Sequence, residues 1–268
     1  MRRSCVAVRL AGCAVLLAAG VGGAPQPRVR PVVDAKSGYL LGGTVNGAWR
    51  PGEQVARLLR GRERYRVYGA GRLLGESAGS RPKSIEDPCP DTYSVGLSPA
   101  RQGGEVAVGG AGDALPRPAR QVYPASDPWV ASVRQMLARH GIADPSVRMT
   151  GATRVDLEGD GTDEMIISAH SGRTDRGIRV EAGDYSLLFV RKVVAGAVRT
   201  VMLEEEYHPK TSDEEILNRY SLAAVLDLDG DGVYEIVARG QYYEGGWTTV
   251  YRLSGLRKQV LATAGCGV

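Results

Sequence analysis

Asp227-Leu228-Asp229-Gly230-Asp231-Gly232-Val233-Tyr234-Glu235 and Asp156-Leu157-Glu158-Gly159-Asp160-Gly161-Thr162-Asp163-Glu164 are two copies of one nine-residue pattern. In both, carboxylates stand at positions 1, 3, 5 and 9 and glycines at 4 and 6. Alternate residues of a tight loop can all face inward, and glycine at position 6 permits the sharp turn that other residues resist. Two unit charges about 4 Å apart repel by roughly 1 kcal/mol in water, and by several times that near a protein surface. Four carboxylates turned toward one point therefore call for a cation. A hard cation such as calcium takes six to eight oxygen ligands at short range. The pattern predicts two Ca²⁺ sites. The first would use Asp156, Glu158, Asp160, the Thr162 carbonyl and Glu164. The second would use Asp227, Asp229, Asp231, the Val233 carbonyl and Glu235.

Working outward, each loop is bounded by apolar runs of strand type. Arg154-Val155 and Met165-Ile166-Ile167 flank the first, Ala224-Val225-Leu226 and Ile236-Val237 the second. Tyr185 to Val190 and Val198 to Leu203 continue the first unit; Trp247 to Leu253 and Gln259 to Ala262 continue the second. Each unit reads as a four-strand meander, and an internal duplication accounts for the pair. EF-hand loops are excluded, because that motif needs Glu at position 12, where Ile167 and Ala238 stand here, and helices on both sides.

These strand-loop-strand segments resemble the FG-GAP or VCBS-type repeats of integrin α-like β-propellers, over about residues 146–262. The resemblance implies that calcium stiffens a hairpin of each unit, held by positions 1, 3, 5 and 9 and the carbonyl at 7. A propeller has typically 4–8 blades, so two units imply a partial, propeller-like pair or a sandwich. The expected fold is mainly β, with antiparallel meanders, two calcium-loop hairpins and one α-helix near 128–140. That helix is signed by Ser126-Asp127-Pro128 at its start and Gly141 at its end, with an apolar face at helical spacing.

Residues 1–23 have the plan of a secretory signal: Arg2, Arg3 and Arg9, then Leu10 to Val21, then small residues. The apolar run is shorter than the roughly 20 residues that span a bilayer, so no transmembrane span is expected in the mature chain. Export to an extracellular or periplasmic location is the expectation. The alternative is lipid anchoring through Cys13 of Leu10-Ala11-Gly12-Cys13. The formal charge of +4 includes three arginines in this segment and none of the acids, which leaves +1 for the rest. Such a balance gives no support for nucleic-acid binding. Cys5 and Cys13 also fall in the signal, and the remaining Cys89 and Cys266 form an even pair suited to one disulfide in an oxidising compartment. Residues 24–37 read as a Pro-rich linker, 38–122 as a small β-rich region, 123–145 as the helix and its connection, and 146–268 as the calcium-loop domain.

Gly75-Glu76-Ser77-Ala78-Gly79 fits the GxSxG nucleophile elbow by letter. That motif needs a strand before the serine and a helix after it, and Ser80-Arg81-Pro82 carries no helical pattern. The preferred reading is therefore a non-catalytic, exported calcium-binding protein; the alternative is a secreted hydrolase with structural calcium. Tyr242, Tyr243 and Trp247 flank a turn at Glu244-Gly245-Gly246. They are expected to pack across strands, or, if exposed, to form a surface for a glycan or an envelope protein.

Overall fold

The computed structural model describes residues 27–122, 127–143, 145–171 and 177–267. The expected signal segment and Ser126 lie outside the described residues. In chain order the elements are β1 (Val29–Asp34), β2 (Leu40–Val45), β3 (Ala48–Pro51), α1 (Gly52–Ala56), β4 (Arg64–Gly69), β5 (Arg72–Gly79), β6 (Lys83–Ser84), β7 (Tyr93–Ser94), β8 (Leu97–Ser98), β9 (Val106–Gly109) and β10 (Arg120–Gln121). Then follow α2 (Asp127–Arg139), β11 (Met149–Val155), β12 (Glu164–His170), β13 (Asp184–Val194), β14 (Ala197–His208), β15 (Arg219–Leu226), β16 (Glu235–Tyr242), β17 (Gly245–Ser254) and β18 (Arg257–Cys266).

Three antiparallel sheets carry the fold, and none closes into a barrel. An N-terminal sheet has the order β3-β2-β1-β9-β4-β5-β8. The two repeat units form β10-β11-β12-β13-β14 and β15-β16-β17-β18, each a meander in which neighbours in sequence are neighbours in space. Their registers agree: Val155 pairs with Glu164, and Leu226 with Glu235, at the mouths of the two acidic loops.

The sheets stack face to face, and side-chain alternation along a strand explains how. Ile236 and Ala238 on β16 pack with Ile166, Leu188 and Val190 of the outer meander. Val237, between them, packs with Val32, Val106 and Val108 of the N-terminal sheet. The β15–β18 meander is thus the middle layer, apolar on both faces. The outermost faces are closed by helices. Val55 of α1 sits on Val33, Tyr65 and Val67, and Val133 and Leu137 of α2 sit on Ile167, Leu187 and Phe189.

Two ties bind the middle meander to the N-terminal region, one through the sheet and one through the β6–β7 connection that holds Cys89. Arg239 donates to both carboxylate oxygens of Asp34, at 2.7 and 2.9 Å, and also reaches Glu105. Asp34 is fully buried and accepts a further hydrogen bond from the Thr248 hydroxyl at 2.6 Å. Although burial opposes ionisation, Arg239 and these donors hold the Asp34 carboxyl below its ordinary value. The second tie is the expected disulfide, Cys89–Cys266, with Cα atoms 5.6 Å apart.

Two expectations need correction. Residues 29–34 are not linker but β1, an interior strand of the N-terminal sheet between β2 and β9. The buried Val32 and Val33 anchor it, and Pro31 faces Gly43 in the ladder. The hairpin turn near the aromatics is Tyr243-Glu244, because Tyr242 pairs directly with Gly245, which belongs to β17.

Candidate metal centres

Both acidic loops fold as tight, self-bonded turns. Asp227 accepts the backbone N–H groups of Gly230 at 2.6 Å and Gly232 at 3.1 Å. Asp156 does the same for Gly159 at 2.7 Å and Gly161 at 3.0 Å. Position 5 accepts from the N–H of position 7 at 2.8 Å in both loops, Asp160 from Thr162 and Asp231 from Val233. Position 9 reaches back to the N–H of position 2: Glu164 to Leu157 at 2.9 Å, Glu235 to Leu228 at 2.8 Å. The glycine at position 6 has φ of +86° in the first loop and +90° in the second, a conformation that costs other residues energy.

The loops lie side by side. The Arg117 guanidinium donates to the carbonyls of Asp156 and Leu157 and lies 4.3 Å above the ring of Tyr234. The N–H of Tyr234 donates to Leu157 O at 2.9 Å.

Their carboxylates are arranged differently. Asp227, Asp229 and Glu235 each place an oxygen within 4.8 Å of the others, the one such group among the described residues. Oxygens ligating one calcium at 2.3–2.6 Å lie at most about 5 Å apart, so this spacing and the all-oxygen donor set fit that ion. The first loop does not gather its carboxylates in this way.

A basic side chain attends each cluster. Arg252 on β17 donates from Nε and Nη2 to Glu235 at 2.9 and 2.6 Å, touches Asp229, and lies 3.7 Å from Asp231. Lys192 on β13 contacts Glu158 and lies 3.8 Å from Glu164. The two bases are equivalent by register: Met165 pairs with Arg191 and Ile236 with Tyr251, which sets Lys192 beside Glu164 and Arg252 beside Glu235. Burial pushes both position-9 carboxyls up to about 7 despite these cations. For Glu164 the neighbouring Glu158 adds to the rise.

Sequence reasoning missed Lys192 and Arg252, because they stand at different distances along the chain from their loops. The available signal was a basic residue on the third strand of each unit, in Phe189-Val190-Arg191-Lys192 and Val250-Tyr251-Arg252.

The other candidates fall elsewhere. Ser77 lies within β5, is buried, and donates its hydroxyl to the Pro99 carbonyl at 2.7 Å; no strand-to-helix elbow surrounds it. Trp247 packs edge-on to Tyr220 at 6.2 Å and lies over Gly240, where a Cβ would meet its ring. Tyr242 sits 6.4 Å from Trp247 and 5.8 Å from Tyr243. Tyr242 and Trp247 line a cleft of about 420 Å³ with the Cys89–Cys266 bridge, and Tyr243 is exposed beside them. Trp247 and Tyr242 thus pack against neighbouring aromatics, while Tyr243 is exposed. Among the described residues no helix is long and apolar enough to cross a membrane.

Compared with known proteins, the chain matches no family model, no curated protein and no solved structure.

Proposed function

We propose that this chain is an exported, calcium-binding β protein in which the second acidic loop is the principal site and the bound ion serves stability. One observation carries the reading: three carboxylates on the Asp227–Glu235 hairpin converge at calcium spacing in the middle layer of the fold. Asp227, Asp229, Asp231, Glu235 and the Val233 carbonyl would hold the ion. Bound calcium would supply the positive charge that Arg252 now provides, so the guanidinium competes with the metal. Competition of this kind lowers affinity, and extracellular calcium modules work at about 10⁻⁴–10⁻³ M. The disulfide suits the same compartment. The likeness of both loops to FG-GAP or VCBS-type repeats supports the reading, and the surface of Tyr242, Tyr243 and Trp247 is where a glycan or protein partner would dock.

Thermal melting of the chelator-treated chain tests the proposal. At ten times the dissociation constant, a ligand bound only by the native state adds about 1.4 kcal/mol, or roughly 3–6 °C for a chain of this size. Asp227→Ala with Asp231→Ala should remove that gain. An unchanged melt in calcium for the parent chain, with no ion retained in equilibrium dialysis, would refute it.

A further inference from the structure

A second site lies away from the acidic loops. Where the free edge of β15 passes between the β4–β5 hairpin and the inner face of the outer meander, the three sheets enclose a cavity of about 540 Å³. That volume is within the usual range for small-molecule sites, roughly 300–1,000 Å³. One wall is apolar, with Leu115, Ala119, Ile166 and Leu222. Toward the other end, where Arg219 pairs with Gln241, the lining is polar, with Thr150, Ser168, His170, Arg219 and Gln241.

Two features point to what the cavity would take. His170 lines the cavity at 7% exposure, while its Nδ1, which has no hydrogen-bond partner, is closed off from the cavity space. The charge on the lining is also unbalanced. Arg72 and Arg219 line the cavity, and neither has a carboxylate partner among the described residues. The one acid on the wall, Glu105, is committed to Arg239 and Lys36. Burial, with Arg219 and Arg148 nearby, pushes the His170 imidazole down to about 4, so at neutral pH it stays uncharged and can both donate and accept.

We propose that this cavity binds a small organic acid, an apolar body bearing one carboxylate or phosphate group, with the body against Leu115, Ala119 and Ile166 and the acid group toward Arg219 and His170. Ile166, Ser168 and His170 share one face of β12, so the lining runs from apolar to polar along a single strand. Nothing in this assignment depends on calcium.

Fluorine NMR titration of the purified chain tests it with three probes of one shape: 4-fluorobenzoate, 4-fluorophenyl phosphate and the neutral 4-fluorobenzyl alcohol. At least one acid should bind at roughly 1 mM or tighter, and the better acid identifies the head group. The alcohol should bind at least about tenfold more weakly, as should the preferred acid to Arg219→Gln, since a hydrogen bond to a charged group contributes that much. Ser221→Trp, which puts bulk at the cavity wall, should abolish binding of all three probes. Arg219 and Ser221 are exposed, so melting curves matching the parent are expected for both variants. The proposal fails if neither acid binds, if the alcohol binds as well as the acids, or if Arg219→Gln leaves the affinity unchanged.

Discussion

The outer meander, β11–β14, and the middle meander, β15–β18, share one plan and differ in their electrostatics. Both have the same strand order, the same loop spacing and a base at the same register position. In the middle meander position 3 is Asp229, short enough to stay with its loop, and the base is Arg252, whose planar fork spans three carboxylates at once. In the outer meander position 3 is Glu158, which reaches out to Lys192, a point charge that occupies it alone at close range. A repeated motif therefore gathers its charges only where the side chain at position 3 and the facing base allow it. Layer position adds a second difference. The middle meander is packed on both faces and tied to the N-terminal region by Cys266 and Arg239, whereas the outer meander meets a sheet on one face and α2 on the other.

The covalent tie sets the largest expected effect. Cys89 and Cys266 close a loop with a sequence separation of 177, for which chain entropy gives about 5 kcal/mol. Cys89→Ser with Cys266→Ser should lower the urea-unfolding free energy by up to that amount. A loss below about 1 kcal/mol would mean that Arg239 and the shared core hold the middle meander without it.

Next in size are the two bases. Arg252→Met in EDTA leaves Asp229, Asp231 and the buried Glu235 uncompensated, and about 3 kcal/mol should be lost. Millimolar calcium should restore most of it. Lys192→Met should cost a similar amount in EDTA but gain little from calcium, because the first loop does not bring its carboxylates together. Equal rescue of both variants would erase the distinction between the loops.

The outer meander also carries an acid-sensitive group. His170 has a folded pKa near 4 against an ordinary 6.5. The unfolded chain therefore binds that proton more readily, and the His170 contribution to stability falls as pH drops from 6.5 toward 4, by up to about 3 kcal/mol, while the raised carboxyls of Glu164 and Glu235 contribute with the opposite sign below pH 7. His170→Gln, compared with the parent by urea unfolding at pH 7 and pH 5, should flatten that part of the profile. An unchanged slope would show that Nδ1 has found a proton acceptor in solution.

What the sequence disclosed follows from range. The acidic loops, the meanders around them, α2 and the disulfide were legible because each rests on local spacing or on parity. Val29–Asp34 was read as linker because Pro25, Pro27 and Pro31 dominate a short window. Its burial comes from β2 and β9, which no local pattern could announce. Arg252 and Lys192 became visible only through cross-strand register. The cavity was illegible for the same reason: Arg72, Thr150, His170 and Arg219 lie on four different strands or their edges and meet only when three sheets stack.

The smallest expected effect is the most direct test of why the loops differ. Glu158→Asp shortens position 3 of the first loop by one methylene and gives it the residue found at Asp229. The shorter carboxylate would no longer reach Lys192 and would turn toward Asp156. Lys192 would then be left to Glu164, and a position-3 carboxylate turned into the loop would add a converging group that a cation can neutralise. About 1 kcal/mol of calcium-binding free energy should follow, roughly a fivefold gain in affinity at that loop. Equilibrium dialysis at millimolar calcium would read it as ion retained beyond the parent's complement. Asp229→Glu should move the second loop the other way. If Glu158→Asp binds no more calcium than the parent while Lys192→Met does, the base rather than the length of position 3 separates the two loops.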